Sequence, residues 1–274
     1  MRALVTGASG FAGTHLVRHL AASGWKVEAF RGDIRRPDSV RRFRGDAVFH
    51  LAAKSNPGQS LVNPAETFEV NALGTLRLLR ALGGFKGRVL VVSSGELYRM
   101  SRRRHAETDP LLPRNPYAMS KLVAEEIARA YDCLDVVIAR PFNHTGPGQK
   151  PPYVCPSFAR QVRTKSLIKV GQLGSIRDFT DVRDVVRAYR LLAEKGRRGA
   201  TYNIASGKGR PIREILDTLI RLSGRPIRVV VDRTLVRPPD FMLGDASLLR
   251  RHTGWQPEIP FATTMADLLT SPGQ

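Results

Sequence analysis

Tyr117-Ala-Met-Ser-Lys121 sets a phenol and an amine four residues apart. On a helix that spacing puts both on one face. A free tyrosine ionises near pH ~10, too high for easy proton exchange at neutral pH. A lysine cation and an oxidised nicotinamide beside the phenol would favour the phenolate, making Tyr117 a group that gives or takes a proton. Ser93-Ser94 closes an apolar run, Arg88-Val-Leu-Val-Val92, that reads as a strand. Parallel sheets bind ligands at the carboxyl ends of their strands, so Ser94 stands where it can hydrogen-bond a substrate carbonyl. A bare Tyr-x-x-x-Lys is common by chance. This one gains weight from a motif upstream.

Thr6-Gly-Ala-Ser-Gly-Phe-Ala-Gly13 follows one apolar strand and opens a helix, the context a dinucleotide fingerprint requires. Gly7 permits the tight turn, Gly10 lets the backbone approach a pyrophosphate, and Gly13 lets the helix pack on the strand. The helix N-terminus offers free N–H groups and partial positive charge to phosphates. Gly7, Ser9, Gly10, Phe11 and Gly13 are therefore the candidate phosphate-binding positions. At the end of the second strand, where an NAD site carries Asp or Glu for the ribose, stands Arg31. A guanidinium there can fork onto a 2′-phosphate, so NADP(H) is favoured over NAD(H). Arg35 and Arg36 could assist; Glu28, inside the strand, is a weaker ribose candidate.

The elements that must position these residues alternate. Strands are expected at Arg2–Thr6, Lys26–Phe30, Asp46–His50, Arg88–Val92 and Asp135–Ala139, with helices at Phe11–Ser23, Ala65–Leu82 and Pro116–Tyr131. This is the pattern of an α/β fold, a Rossmann-like doubly wound parallel sheet. The 15 residues of 31–45 hold one crossover helix and no further strand. The sheet should be one edge strand short, with polar Lys26 and Glu28 on its edge. Pro141 to Pro156, with five Pro and two Gly, reads as loop. Beyond it come a helix near 181–194, a strand near 201–204, a helix near 211–222 and short elements at 227–231, 245–251 and 261–269. Residues 1–142 with about 178–205 would form the dinucleotide-binding domain, and about 143–177 with 206–274 a smaller C-terminal substrate-binding lobe.

The chain has 274 residues, 44 Lys+Arg against 24 Asp+Glu, and a formal net charge of +20. Length and composition exclude a disordered tail, a collagen-like repeat and a disulfide scaffold. Of the basic residues 35 are Arg, spread from Arg2 to Arg251 and not gathered in a tail. That spread argues for solvated faces and phosphorylated small ligands, and against nucleic acid. Cys133 and Cys155 make no disulfide framework and have no metal-type partners, so a reducing compartment and no metal are expected. Without a signal-peptide core or a ~20-residue apolar span, the expectation is a cytoplasmic protein without membrane contact.

Taken together, Thr6–Gly13, His50-Leu-Ala-Ala53, Asn71-Ala-Leu-Gly-Thr75, Ser93-Ser94, Tyr117–Lys121, Arg140-Pro-Phe-Asn143 and Arg177-Asp-Phe-Thr-Asp-Val-Arg-Asp184 resemble the extended short-chain dehydrogenase/reductase family of nucleotide-sugar enzymes. The resemblance covers nearly the whole chain. Through Arg140–Gln149, Val154–Gln161, Arg237-Pro-Pro-Asp240, Leu243-Gly-Asp245 and Gly254-Trp-Gln-Pro257 it looks most like the members that reduce GDP-4-keto-6-deoxymannose.

The resemblance implies roles. Ser94, Tyr117 and Lys121 would be catalytic. Leu51, Ala52, Ala53, Asn71 and Lys121 would join the glycine turn and Arg31 around the cofactor, with Asp33 and Ile34 at its adenine. Asn143, Arg177 and Arg237 would hold the diphosphate of a nucleotide sugar, GDP-linked by preference, with Lys169 and Val170 near the base and Asp240 near its ribose. Plainer roles stand beside these: Asn143 as a turn cap, Arg177 paired with Asp178 or Asp181, Asp240 opening a turn. A homodimer through the helices near 66–82 and 117–131 is also implied. Glu96 would be structural or would orient the sugar in a reductase. In a 4,6-dehydratase it would be the base for elimination, and a 4-epimerase is a third outcome. The alternative of another class is a non-catalytic NAD(P)-binding regulator, against which the intact Ser94/Tyr117/Lys121 set counts. The chain departs from the family at Arg99, usually Gly, and in the basic stretch Met100–His105.

Overall fold

The computed structural model describes residues 1–236 and 238–271. Along the chain run β1 (Arg2–Thr6), α1 (Phe11–Ala22), β2 (Lys26–Ala29), β3 (Ala47–His50), α2 (Pro57–Val62), α3 (Pro64–Phe68), α4 (Gly74–Ala81), β4 (Arg88–Val92), β5 (Arg104–His105), α5 (Pro116–Ala130), β6 (Asp135–Pro141) and β7 (Asn143–Thr145). There follow α6 (Val154–Thr164), β8 (Leu167–Val170), β9 (Ile176–Asp181), α7 (Val182–Lys195), β10 (Thr201–Ile204), β11 (Gly209–Pro211), α8 (Ile212–Ser223), β12 (Arg228–Val231), β13 (Phe241–Gly244), α9 (Ser247–Thr253) and α10 (Phe261–Thr270).

Six strands pair in the order β10-β6-β4-β3-β1-β2, every pair parallel. Parallel strands need a crossover on one face or the other, and both faces are covered. On one face Leu16 and Leu20 of α1 and Val185, Tyr189 and Leu192 of α7 pack on Val5, Phe49 and Leu90. On the other, Leu78 and Leu79 of α4 and Ala128 of α5 pack on Leu4, Val48 and Val91. This double cover explains why Arg88–Val92 reads as a continuous apolar run. β2 is an edge, as its polar residues foretell, with Lys26 and Glu28 exposed. The 31–45 crossover is shorter than expected: Asp38–Arg42 makes only a 3₁₀ turn, with Val40 and Phe43 turned into the core.

Two further expectations are corrected. The helix over 65–82 is not regular, because Glu69–Leu73 winds as a π-helical turn between α3 and α4. Such widened turns occur frequently at functional sites. Pro141–Pro156 is not all loop. Asn143–Thr145 pairs with β9, and α6 starts at Val154, carrying Pro156 in its first turn where a missing N–H costs nothing.

After β6 the chain builds a second set of layers. β11, β9, β13 and β5 form a mixed sheet with β7 beside β9, and β12 pairs with β8. Phe158 and Val162 of α6, Ile215 and Leu219 of α8 and Met265 and Leu268 of α10 make a separate apolar core. The basic stretch 99–105 finds partners here. Arg102 lies 4.6 Å over the Phe241 ring, and Arg103 is 3.4 Å from Asp109. No helix of the described residues is long and apolar enough to cross a membrane.

Candidate active site

The first βα turn is built for a ligand that comes close to the backbone. Gly7 has φ +69, and a Cβ there would fall 2.6 Å from the Ala52 amide. A Cβ on Gly13 would fall 2.0 Å from the Gly7 carbonyl oxygen, so helix and turn touch backbone to backbone. Gly10 caps α1 without any side-chain hydrogen bond, so the first amides of the helix have no side-chain acceptor. That combination fits a pyrophosphate.

From this turn a cavity of about 510 Å³ runs along the carboxyl ends of β1, β3, β4 and β6. Its wall contains Gly7, Ser9, Gly10, Phe11, Gly13, Leu51, Ala52, Ala53, Ser94, Glu96, Tyr117, Lys121 and Asn143. The two sequence motifs, separated by about 100 residues of chain, thus face one space.

α5 sets the geometry of Tyr117 and Lys121. Asn115 caps it by accepting from the Ala118 amide at 2.8 Å, and Pro116 supplies the pre-set first turn. Tyr117 is 8% exposed and Lys121 6%. Burial raises the Tyr117 phenol above its ordinary value, and a hydrogen bond with Ser94 works against that rise. Ser94 also accepts from the Glu96 amide at 3.1 Å, which fixes its hydroxyl at the mouth of β4. Lys121 Nζ donates to the Val92 carbonyl at 2.7 Å, and burial brings its pKa down to about 8. Glu96 reaches the cavity with Asn115 Nδ2 donating to its Oε2 at 3.3 Å.

Asn71 stands behind the wall. The π-helical turn aims it at the Lys54 backbone, where it accepts at 2.8 Å and donates at 3.0 Å, and it donates to Ser120 on α5 at 2.9 Å. It ties the loop after β3 to the Tyr117 helix. His50 is fixed between Thr6 at 2.8 Å and Thr75 at 2.9 Å, and burial takes its pKa down to about 3, so it is neutral.

Other expected residues lie apart from this cavity. Arg31 is exposed at the end of β2 and makes no ion pair among the described residues. Asp33 is held by Arg35, whose Nε donates to both carboxylate oxygens at 3.0 and 2.8 Å. Ile34 is 5% exposed and packs in the core beneath α4. On the second set of layers Lys169 is exposed on β8, while Val170 is buried. Arg177 and Asp240 form an ion pair with one another, and Asp178 instead accepts from Ser206 and the Gly207 amide. Arg237 lies outside the described residues.

Several wall residues escaped the sequence reading. Tyr153 reaches across to Ser55, hydroxyl to hydroxyl at 3.1 Å, and roofs the cavity. Phe142, His144, Gln149, Tyr189 and Met242 also line the wall. His144 stacks on Phe11 with 6.1 Å between ring centroids. Phe142, His144 and Gln149 lie in the Arg140–Gln149 stretch, which carried the resemblance without assigning them a role, while Tyr189 and Met242 come from α7 and β13, distant in sequence.

A dinucleotide turn and a Ser/Tyr/Lys set facing one cavity, on a doubly wound sheet, define a nucleotide-dependent dehydrogenase or reductase of the short-chain type. The chain belongs to the NAD dependent epimerase/dehydratase family, whose sequence profile matches residues 3–205. It is 39% identical to the GDP-6-deoxy-D-mannose reductase of Pseudomonas aeruginosa, over 98% of this chain and 96% of that one. It is 32% identical to the GDP-6-deoxy-D-talose 4-dehydrogenase of Aggregatibacter actinomycetemcomitans, over 91% and 90%. Its fold matches the structure of RMD from Pseudomonas aeruginosa complexed with NADPH, with a TM-score of 0.92, 37% identity and 98% of each chain covered.

Proposed function

We propose that this protein reduces the C4 ketone of a nucleotide 4-keto-6-deoxy sugar, GDP-4-keto-6-deoxymannose in preference to others, giving a GDP-6-deoxyhexose of the rhamnose or talose type. The observation that carries the reading is that Ser94, Tyr117 and Lys121 line the cavity that begins at the glycine turn, where burial favours the neutral Tyr117 phenol. When bound there, NADPH supplies the hydride. Ser94 and Tyr117 hydrogen-bond the ketone oxygen, and Tyr117 gives that oxygen its proton. Lys121 stabilises the phenolate left behind. Tyr153 and Met242 line the same cavity.

Gly7, Gly10 and Gly13 would hold the pyrophosphate, and Arg31, exposed and unpaired among the described residues, the 2′-phosphate. A charge-assisted hydrogen bond contributes about 1.5–3 kcal/mol. Arg31→Ala is therefore expected to raise the KM for NADPH about 10- to 100-fold and leave that for NADH nearly unchanged. Equal effects on both would remove Arg31 from the 2′-phosphate. Asn143 and Arg177 are assigned to the substrate diphosphate and Asp240 to the ribose, so binding would reorganise the Arg177–Asp240 pair.

Residues 1–142 with about 178–205 are read as the dinucleotide-binding part and the remainder as the sugar-nucleotide part, in line with the separate core under α6, α8 and α10. The exposed Leu61, Val62, Leu73 and Met119 near the start of α5 suit a homodimer contact, which sedimentation velocity would read.

The deciding assay adds GDP-4-keto-6-deoxymannose to protein and NADPH and follows absorbance at the reduced nicotinamide. Stoichiometric loss is expected. Dehydration of GDP-mannose without net NADPH use would overturn the reading in favour of Glu96 as an elimination base, since Glu96 faces the same cavity.

A further inference from the structure

Glu125 lies one turn beyond Lys121 on the same face of α5 and is 0% exposed. Burial alone would push its carboxyl up, but Arg140, with Ser93 and Arg129, outweighs this and holds it ionised. Arg140 Nε and Nη2 donate to its two oxygens at 2.8 and 2.6 Å, a paired fork. Arg129 Nη2 donates to the second oxygen at 2.8 Å. Arg140 is itself 2% exposed and donates to the Tyr98 hydroxyl at 2.8 Å, which in turn donates to Asn203 at 2.8 Å. The carboxylate is thus held by Arg140 from β6 and by Arg129 from α5 itself.

Lys121, by contrast, has a neutral carbonyl as its hydrogen-bond acceptor. A buried ammonium so placed depends on a nearby negative charge to remain ionised. The titratable groups on the elements packed about it include neutral His50 from β3, Tyr117 and Glu125 from α5, Glu96 after β4 and Tyr189 from α7, with Arg140 of β6 bonded to Glu125. Among the described residues the charge that favours the ammonium is that of Glu125.

We propose that Glu125 is a positioning residue that keeps Lys121 cationic, and that Arg140, held on the same carboxylate, sets how much of that charge the lysine feels. The proposal rests on the reading of Tyr117 and Lys121 as the proton-transfer pair. Its signature is opposite signs. Glu125→Gln removes the carboxylate and leaves a buried guanidinium, so Lys121 loses its proton at lower pH. Arg140→Gln leaves the carboxylate still bonded to Arg129 but less compensated, so Lys121 keeps its proton to higher pH. A purely architectural ion pair would weaken folding in both variants and move neither titration.

The test labels lysine at Cε with ¹³C and follows Lys121 through a pH titration by NMR. Only nine lysines are present, and Lys121→Arg identifies the signal. The midpoint should fall by roughly a unit in Glu125→Gln and rise in Arg140→Gln, the scale of a nearby charge. The high-pH limb of kcat/KM for ketone reduction should move the same way in each. An unchanged midpoint in both variants, or movement in one direction, overturns the proposal. Should the single variants not fold, Glu125→Gln/Arg140→Gln removes both charges with little change of shape. Its midpoint should lie below wild type, and a wild-type value overturns the proposal equally. The NMR needs no substrate. If Lys121 titrates as expected while wild-type protein reduces no keto sugar, it is the functional reading that fails.

Discussion

Tyr117→Phe should lower the rate of ketone reduction about 1,000-fold while leaving the affinity for NADPH within a factor of two or so, since positioned general acids contribute ~10²–10⁴. The side chain is buried against Ser94 and the cavity wall, and the substitution removes one oxygen without opening space. The fold should persist, because the backbone amide of Tyr117 remains bonded to Ser60 at 3.1 Å and α5 keeps its Asn115 cap. Stopped-flow absorbance gives the rate and fluorescence of bound NADPH gives the affinity. A variant that keeps more than a tenth of the wild-type rate would show that the proton comes from elsewhere, with Glu96 the group next in reach. Ser94→Ala should cost less, because a hydrogen bond is lost and the acid is kept.

The second large effect lies at the other end of the cavity. Gly13→Ala would place a methyl carbon 2.0 Å from the Gly7 carbonyl oxygen and 2.9 Å from the Ala8 Cα. Every atom it meets is backbone, so no side chain can swing away, and the turn itself must move. A displacement near 1 Å at a positioning element costs on the order of 100-fold. NADPH affinity should fall by at least that factor, with about 1–3 kcal/mol of stability lost to overpacking. Gly24→Ala is the contrast. Gly24, unlike the helical Gly13, sits in a left-handed conformation at φ +81, but a Cβ there meets nothing within 4 Å. It should lose ~1–2 kcal/mol to backbone strain and bind NADPH as wild type does. Equal loss of cofactor binding in the two variants would mean that the turn acts through global stability. Titration calorimetry and thermal unfolding separate these outcomes.

What the sequence disclosed followed from local rules. Glycine spacing has a steric meaning that survives without tertiary context, so Gly7, Gly10 and Gly13 marked their turn. The Tyr117–Lys121 interval carries its own geometry, and polar residues inside Lys26–Ala29 foretold an edge. What stayed hidden depends on distant chain. The bond from Tyr153 to Ser55 crosses 98 residues, and that from Arg177 to Asp240 crosses 63. Nothing in 15 residues around either partner specifies the other. The π-helical turn at Asn71 was invisible for a different reason. Its residues suit a regular helix, and the wider winding answers to where Asn71 must reach, between Lys54 and Ser120. The partners of the basic stretch stayed hidden because Phe241 and Asp109 come from outside it.

The last strand of the parallel sheet has a bearing on how the chain is made. β10 pairs with β6 through Tyr202↔Ala139 and Asn203↔Arg140, yet β7, α6, β8, β9 and α7 are synthesised between them. Until Thr201–Ile204 leaves the ribosome, β6 presents an open row of backbone donors and acceptors to the cell. Tyr202 and Ile204, both 0% exposed, are missing from the core beneath α7 for the same interval. Closure of the nucleotide-binding sheet is therefore a late, non-local event, slow by the entropy of the loop it must close and exposed to mispairing while it waits. Arrest or truncation before residue 201 would release a chain with every catalytic candidate in place and its sheet unfinished.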